Sequence, residues 1–285
     1  MIFMNSNSKY LDVNNISTHY LEAGQGEPVV LIHGSGPGVT AWANWRLIIP
    51  KLSENFHVFA PDIVGFGYTE RPENIEYGVE TWTEHLIRFI EKIGKGPVNI
   101  IGNSMGGALT LHIANKRPDL VGKMVLMGAV GTSFPITYGL DKVWGYEPSI
   151  ENMKLLLEIF AYNQDFATDE LAELRYKASI EPGLQEAFSQ MFASPRQAKL
   201  DQLALSDNQI KNITHPVLLV HGRDDLVIPY KETSLKFFEL LPNSELHLFS
   251  KCGHWTQIEK QAKFIQLCQN FFLENSAELL KSSSL

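Results

Sequence analysis

Along the first half of the chain, short unbroken apolar runs alternate with longer segments of helical period. The runs Pro28-Val29-Val30-Leu31-Ile32, His57-Val58-Phe59-Ala60-Pro61-Asp62, Val98-Asn99-Ile100-Ile101 and Lys123 to Gly128 read as strands buried on both faces. Between them, a segment from roughly Trp42 to Leu52, one from Thr81 to Ile93 with apolar positions Trp82, Leu86, Phe89, Ile90 and Ile93, and an Ala/Leu-rich stretch from Ala108 to Asn115 read as helices. Ahead of all of them, Tyr10 to Ala23 predicts two strands joined at Asn14-Asn15, a hairpin signal. Strands alternating with helices predict an α/β fold with a mostly parallel central sheet covered on both faces.

The alternation stops at about Phe134. From there to about Ser206 only helical patterns are visible, clearest over Ile150–Tyr162 and over Thr168–Ile180, the latter opened by Thr168-Asp169-Glu170 as a capped start. The sheet resumes at Pro216-Val217-Leu218-Leu219-Val220-His221-Gly222. A helix from about Tyr230 to Leu241, a strand over Glu245–Phe249 and a last helix to about Leu273 follow. Asn275–Leu285 is expected to be a frayed tail. The division that results is a core of residues 1–133 and 206–285 with a helical lid, or cap, over 134–205. Such a lid over the active edge of the sheet would enclose substrate and exclude water; the plainer alternative is a structural appendage.

Composition narrows the classes. The chain has 285 residues, 44% hydrophobic and 20% charged, ordinary globular values. Its net charge is -8, and no basic tract points to nucleic acid. An anionic ligand would therefore have to be held by local groups, because the overall field repels it. Two cysteines, Cys252 and Cys268, make no disulfide framework. The opening residues resemble neither a signal peptide nor an anchor, and no apolar run reaches membrane-spanning length. A cytoplasmic enzyme or binding protein is the expectation.

The chemistry centres on Gly102-Asn103-Ser104-Met105-Gly106. A strand ends, a serine stands between glycines and a helix begins, which is the pattern of a nucleophile elbow. A serine hydroxyl needs a base, and the base needs an orienting acid. Past the last two strands lie Asp224 and Asp225, then His254, so the order Ser, Asp, His is the one an elbow demands. The Ser104 hydroxyl is expected to meet the His254 imidazole. Spacing does not choose between the adjacent Asp224 and Asp225. His33 opens a glycine loop, His33-Gly34-Ser35-Gly36-Pro37-Gly38, where it shapes the turn and where a backbone amide could serve an oxyanion. No HExxH, zinc-spaced Cys/His pair or dinucleotide fingerprint is found, so no metal or organic cofactor is expected.

These residues resemble α/β-hydrolases of the meta-cleavage-product hydrolase family, serine-dependent C–C bond hydrolases of aromatic degradation. The resemblance runs along nearly the whole chain. It is carried by His33-Gly-Ser-Gly-Pro-Gly-Val-Thr-Ala-Trp-Ala-Asn-Trp-Arg46, Gly65-Phe-Gly-Tyr-Thr-Glu-Arg-Pro72, Gly102-Asn-Ser-Met-Gly-Gly107 and Ser250-Lys-Cys-Gly-His-Trp255. Phe134-Pro-Ile-Thr, Val143-Trp-Gly-Tyr and Asp169-Glu-Leu-Ala-Glu-Leu-Arg175 look most like the 2-hydroxymuconic semialdehyde hydrolases and related alkylbenzene-pathway enzymes. The resemblance implies a triad of Ser104, Asp225 and His254, with Gly222-x-x-Asp225 matching the family acid. It implies an oxyanion hole from the amides of Ser35 and Met105, and a polar pocket of Asn44, Asn103, Arg175 and Trp255. The substrate implied is a 2-hydroxy-6-oxo-2,4-dienoate with an open C6 substituent (hydrogen, alkyl or aryl), and the assembly a homo-oligomer. Each pocket residue has a plainer reading: Arg175 on a helix surface paired with Glu170, Trp255 in the core, Asn44 as a helix cap. Two other functions fit the same fold, a general carboxylesterase and a non-catalytic small-molecule-binding protein. The serine at the elbow argues against haloalkane dehalogenases and epoxide hydrolases, which place Asp there.

Overall fold

The computed structural model describes residues 7–274. Residues 1–6 and the expected tail Asn275–Leu285 lie outside the described residues. Eight strands form one sheet: β1 (Ser8–Val13), β2 (Ile16–Ala23), β3 (Glu27–Ile32), β4 (Phe56–Pro61), β5 (Val98–Asn103), β6 (Val121–Met127), β7 (Val217–Gly222) and β8 (Ser244–Phe249). Their order is β1-β2-β4-β3-β5-β6-β7-β8. The β1–β2 hairpin and the β2–β4 pair are antiparallel, and the other pairs are parallel. The hairpin turns at Asn14 and Asn15, both at positive φ (53° and 63°), as a two-residue hairpin turn requires.

The unbroken apolar runs have a direct cause. Along β3, Val30 and Ile32 enter one core while Val29 and Leu31 enter the other. Along β6, Met124 and Leu126 face the first core, Val125 and Met127 the second. A strand with helices on both sides has no polar face to show.

Thirteen α-helices occur among the described residues: α1 (Ala41–Trp45), α2 (Ile49–Leu52), α3 (Val79–Ile93), α4 (Met105–Lys116), α5 (Tyr138–Trp144), α6 (Ile150–Phe160), α7 (Asp169–Ser179), α8 (Leu184–Met191), α9 (Arg196–Gln202), α10 (Asp207–Lys211), α11 (Ser234–Leu240), α12 (Thr256–Glu259) and α13 (Gln261–Leu273). Between β6 and β7 every α-helix from α5 to α10 follows without a strand. The start of α7 is the predicted one: Thr168 Oγ accepts from the Leu171 amide at 3.1 Å.

Three expected helices differ. The one from Trp42 to Leu52 is two, α1 and α2, because Pro50 near the start of α2 has no N–H to give a preceding turn. The one from Tyr230 begins only at Ser234. Thr233, at φ -122°, sits at its N-cap and donates its hydroxyl to the Pro229 carbonyl at 3.0 Å. The last helix is split at Lys260, whose φ of -125° and ψ of 31° leave the helical region; nothing in its neighbours explains the break. No helix of the described residues is long and apolar enough to cross a membrane.

Candidate active site

The elbow is made by close packing of backbone. Ser104 joins β5 to α4 at φ 54° and ψ -117°, a region costly for a residue with a side chain and held only by surrounding structure. Its amide donates to Met127 O at 3.0 Å, and its carbonyl accepts from Gly107 N at 3.0 Å and Val130 N at 3.1 Å. The glycines have no room to be anything else. A Cβ at Gly106 would stand 2.3 Å from Ile32 O and 2.6 Å from His33 O. One at Gly102 would stand 2.5 Å from Thr110 Oγ1 and 2.6 Å from Gly106 O.

The β3–α1 loop lies against this turn. His33 shapes it as expected: Nδ1 donates to the Gly34 carbonyl at 2.7 Å, and Nε2 accepts from the Ile63 amide at 3.0 Å. A Cβ on Gly34 would lie 3.0 Å from Ser104 Cβ, so the Ser35 region sits beside Ser104. Among the described residues, neither the Ser35 nor the Met105 amide donates to a protein acceptor. Trp144, which stands in the lid string Val143-Trp-Gly-Tyr with no site role expected of it, donates its indole N–H to Ser35 Oγ at 2.9 Å.

The loop after β8 brings His254 to the same place. The His254 amide donates to Phe160 O at the end of α6 at 2.8 Å, and the Trp255 amide does so at 3.2 Å. The Phe160 ring stacks on both side chains, with centroids 5.9 Å from His254 and 5.1 Å from Trp255. His254 Nδ1 lies 2.7 Å from Asp225 Oδ2. Spacing had left two aspartates open, and the geometry separates them. The Asp225 side chain is buried, and its Oδ1 accepts from the Val227 and Ile228 amides at 2.7 and 2.9 Å. Asp224 points elsewhere, toward the Cys252 amide at 3.4 Å. Burial alone would raise the Asp225 carboxyl. The His254 charge and the hydrogen bonds of His221 and His254 outweigh it and hold the group well below the usual carboxylate range.

One expected contact is not made. No hydrogen bond joins Ser104 Oγ to His254 Nε2 among the described residues. Both side chains are 5% exposed and line one cavity of about 190 Å³. The hydroxyl turns about a single soft torsion, and such bonds are commonly loose before substrate arrives.

That cavity also takes in Gly34, Ser35, Asn44, Asn103, Arg175 and Trp255, so the predicted pocket residues share one space with the serine. Arg175 does not pair with Glu170. Its Nη2 donates to Pro37 O at 3.2 Å, and burial, with the neighbouring Arg46 charge, pulls the guanidinium down to about 10. Asn44 is no cap, since Thr40 caps α1; its buried Nδ2 has no hydrogen-bond partner. Asn103 Nδ2 donates to Met127 O at 3.2 Å.

Arg46 and Gln257 line the cavity as well and were not singled out by the sequence. Arg46 stood in the quoted string before α2, so its place two residues after Asn44 was the available signal. Among the described residues neither Arg46 nor Arg175 has a carboxylate within salt-bridge distance. Two unpaired guanidinium groups in one small cavity suit an anionic ligand.

A second Ser–His–Asp chain exists away from the cavity. Ser8 Oγ lies 2.7 Å from His19 Nε2, and His19 Nδ1 lies 2.7 Å from Asp62 Oδ2. Asp62 also accepts from the Ala41 and Tyr68 amides at 2.6 and 2.9 Å. None of the three lines the cavity. They tie the β1–β2 hairpin to the loops around the sheet edge.

The pattern of the alpha/beta hydrolase fold matches residues 27–261. The chain is 55% identical over 256 residues to a 2-hydroxy-6-oxo-2,4-heptadienoate hydrolase of Pseudomonas putida, covering 90% of this chain and 92% of that one. It is 47% identical over 262 residues to a 2-hydroxymuconate semialdehyde hydrolase of Pseudomonas sp. CF600, with 92% of each covered. Among solved structures it resembles the meta-cleavage product hydrolase of Pseudomonas fluorescens IP01, solved as a serine-to-alanine variant complexed with acetates. The TM-score is 0.91 at 51% identity, over 93% of this chain and 97% of the other. With nine-tenths of its length matched at these identities, the chain belongs to the alpha/beta hydrolase fold family and, within it, to the meta-cleavage product hydrolases.

Proposed function

We propose that this protein is a serine-dependent hydrolase that cleaves a carbon–carbon bond in 2-hydroxy-6-oxo-2,4-dienoates, the ring-fission products of aromatic degradation. One observation carries the reading beyond a generic serine hydrolase. The cavity that holds Ser104 and His254 also holds the two unpaired guanidinium groups of Arg175 and Arg46. An ester needs no such anion site; a dienoate brings a carboxylate to it.

A carbanion is a poor leaving group, so the dienol must first become a ketone, which provides an electron sink at C2. Arg175, Asn44 and Asn103 hold the carboxylate and 2-oxo end, where Arg offers a planar fork of donors. His254, oriented by Asp225, takes the Ser104 proton as the serine attacks the C6 carbonyl. The oxyanion rests on the Ser35 and Met105 amides, each such donor being worth about 3 kcal/mol of barrier. The C5–C6 bond then breaks, its electron pair passes through the C3–C4 double bond into the C2 carbonyl, the dienolate so formed takes its proton at C3, and the acyl-serine is hydrolysed by water. Where C6 carries hydrogen, the products are formate and 2-oxopent-4-enoate. The segment 134–205 serves as the lid over this chamber. Self-association and a cytoplasmic setting follow the family resemblance.

The test is loss of the yellow dienoate colour on incubation with pure protein. The wild type should bleach the 6-hydrogen and 6-methyl dienoates, and Ser104→Ala should lose roughly 10⁴-fold or more in rate while still binding them. Stable colour beside fast turnover of p-nitrophenyl acetate would assign a carboxylesterase. No turnover of either would leave a binding protein.

A further inference from the structure

Asp225 serves two imidazoles through one oxygen. His254 Nδ1 lies 2.7 Å and His221 Nε2 3.1 Å from Oδ2. His221 Nε2 is also 3.1 Å from the Ile228 carbonyl. Both neighbours of that nitrogen accept, so it carries the proton. His221 Nδ1 lies 2.7 Å from Ser234 Oγ, whose hydroxyl then donates to it. His221 and Ser234 are 0% exposed and the Asp225 side chain 1%, so no water replaces a lost partner. With the Val227 and Ile228 amides on Oδ1, all of the roughly four lone-pair sites of the carboxylate are filled.

We propose that His221, locked by Ser234, is a positioning residue: it is the second donor on Asp225 Oδ2, turns that oxygen toward His254 and limits how strongly the carboxylate attracts the His254 proton. This rests on reading Ser104 and His254 as nucleophile and base, and not on the identity of the substrate. Remove the His221 donor and Asp225 keeps a bare, buried lone pair. More of its charge then falls on the remaining N–H, that of His254, and the imidazolium is favoured. Only the neutral imidazole takes the serine proton, so the acid limb of activity moves to higher pH.

The other groups near this pair are already committed. Asp224 faces the Cys252 amide, and burial pushes the Cys252 thiol up to about 12. Glu259 accepts from the Gly253 and Asn163 amides, Lys260 follows it in the break after α12, and the Tyr230 ring edges His221 at 6.4 Å. Arg175 and Arg46 line the same cavity as His254.

The test uses the full chain with His221→Phe, His221→Gln and Ser234→Ala. The rate at which a fluorophosphonate labels Ser104 is followed against pH, beside kcat/KM for the 6-methyl dienoate. His221→Phe should move the acid limb up by about half a pH unit to one unit and slow labelling below it roughly three- to tenfold. His221→Gln, which still offers an N–H, should restore the wild-type limb, and Ser234→Ala should fall between. A wild-type limb in folded His221→Phe overturns the proposal. Should that variant not fold, imidazole nitrogen NMR of the wild type decides, since a proton on Nδ1 of His221 in place of Nε2 also overturns it. Absent dienoate turnover with a shifted labelling limb counts against the substrate alone.

Discussion

Arg175 shows how much a single side chain depends on where the chain puts it. On α7 it could have been one more solvated arginine beside Glu170. It instead reaches Pro37 and the cavity, where burial and Arg46 make its charge costly until an anion arrives. Removing the charge should therefore be felt in binding the substrate carboxylate. Arg175→Leu should raise KM for the dienoate by roughly 10- to 100-fold, the worth of one charge-assisted pair. Arg175→Lys should recover only part of this, because an ammonium lacks the planar fork. Hydrolysis of p-nitrophenyl acetate, which has no carboxylate, should change little. Equal losses on both substrates would remove Arg175 from the anion site.

At the scale of the element, the elbow is a contact between β3, β5 and α4 more than a feature of its own residues. Gly106 packs its Cα against the carbonyls of Ile32 and His33. Gly106→Ala must push α4 off β3, which should cost on the order of 3 kcal/mol or more of stability and carry Met105 N away from its place beside Ser104. Urea unfolding and fluorophosphonate labelling together check this; a stable, fully reactive variant would refute it. The strands of this layer were legible because a two-sided burial pattern is local. The breaks at Pro50 and Thr233 were less so: periodicity carried across them, while one missing N–H and one residue outside the helical φ/ψ region stopped the helices.

For the whole molecule, acid sensitivity is set by groups buried in neutral form. His85 on α3 has Nε2 2.8 Å from Thr18 Oγ1, while its Nδ1 is buried without a partner. Burial pulls its pKa down to about 4. The unfolded imidazole protonates near about 6.5, so between these values the unfolded chain binds more protons. The His85 contribution is therefore complete above about 6.5 and is lost as pH falls toward 4. Near pH 5 the loss is about 2 kcal/mol. His85→Gln should flatten the fall in urea midpoint between pH 7 and pH 5; an unchanged slope would show that other groups set it.

The sequence by itself determined the alternation of strands and helices, the serine between glycines at a strand-to-helix turn, and the order in which Ser104, the Asp224-Asp225 pair and His254 appear. These are properties of neighbours along the chain, and the burial that imposes them repeats at short period. Only the tertiary structure decided that Asp225 rather than Asp224 meets His254, that His221 shares its oxygen, and that Arg46 joins Arg175. Those choices depend on which way loops from strands far apart in the chain turn their side chains at one sheet edge, and no period in the chain encodes a direction set by packing against distant neighbours.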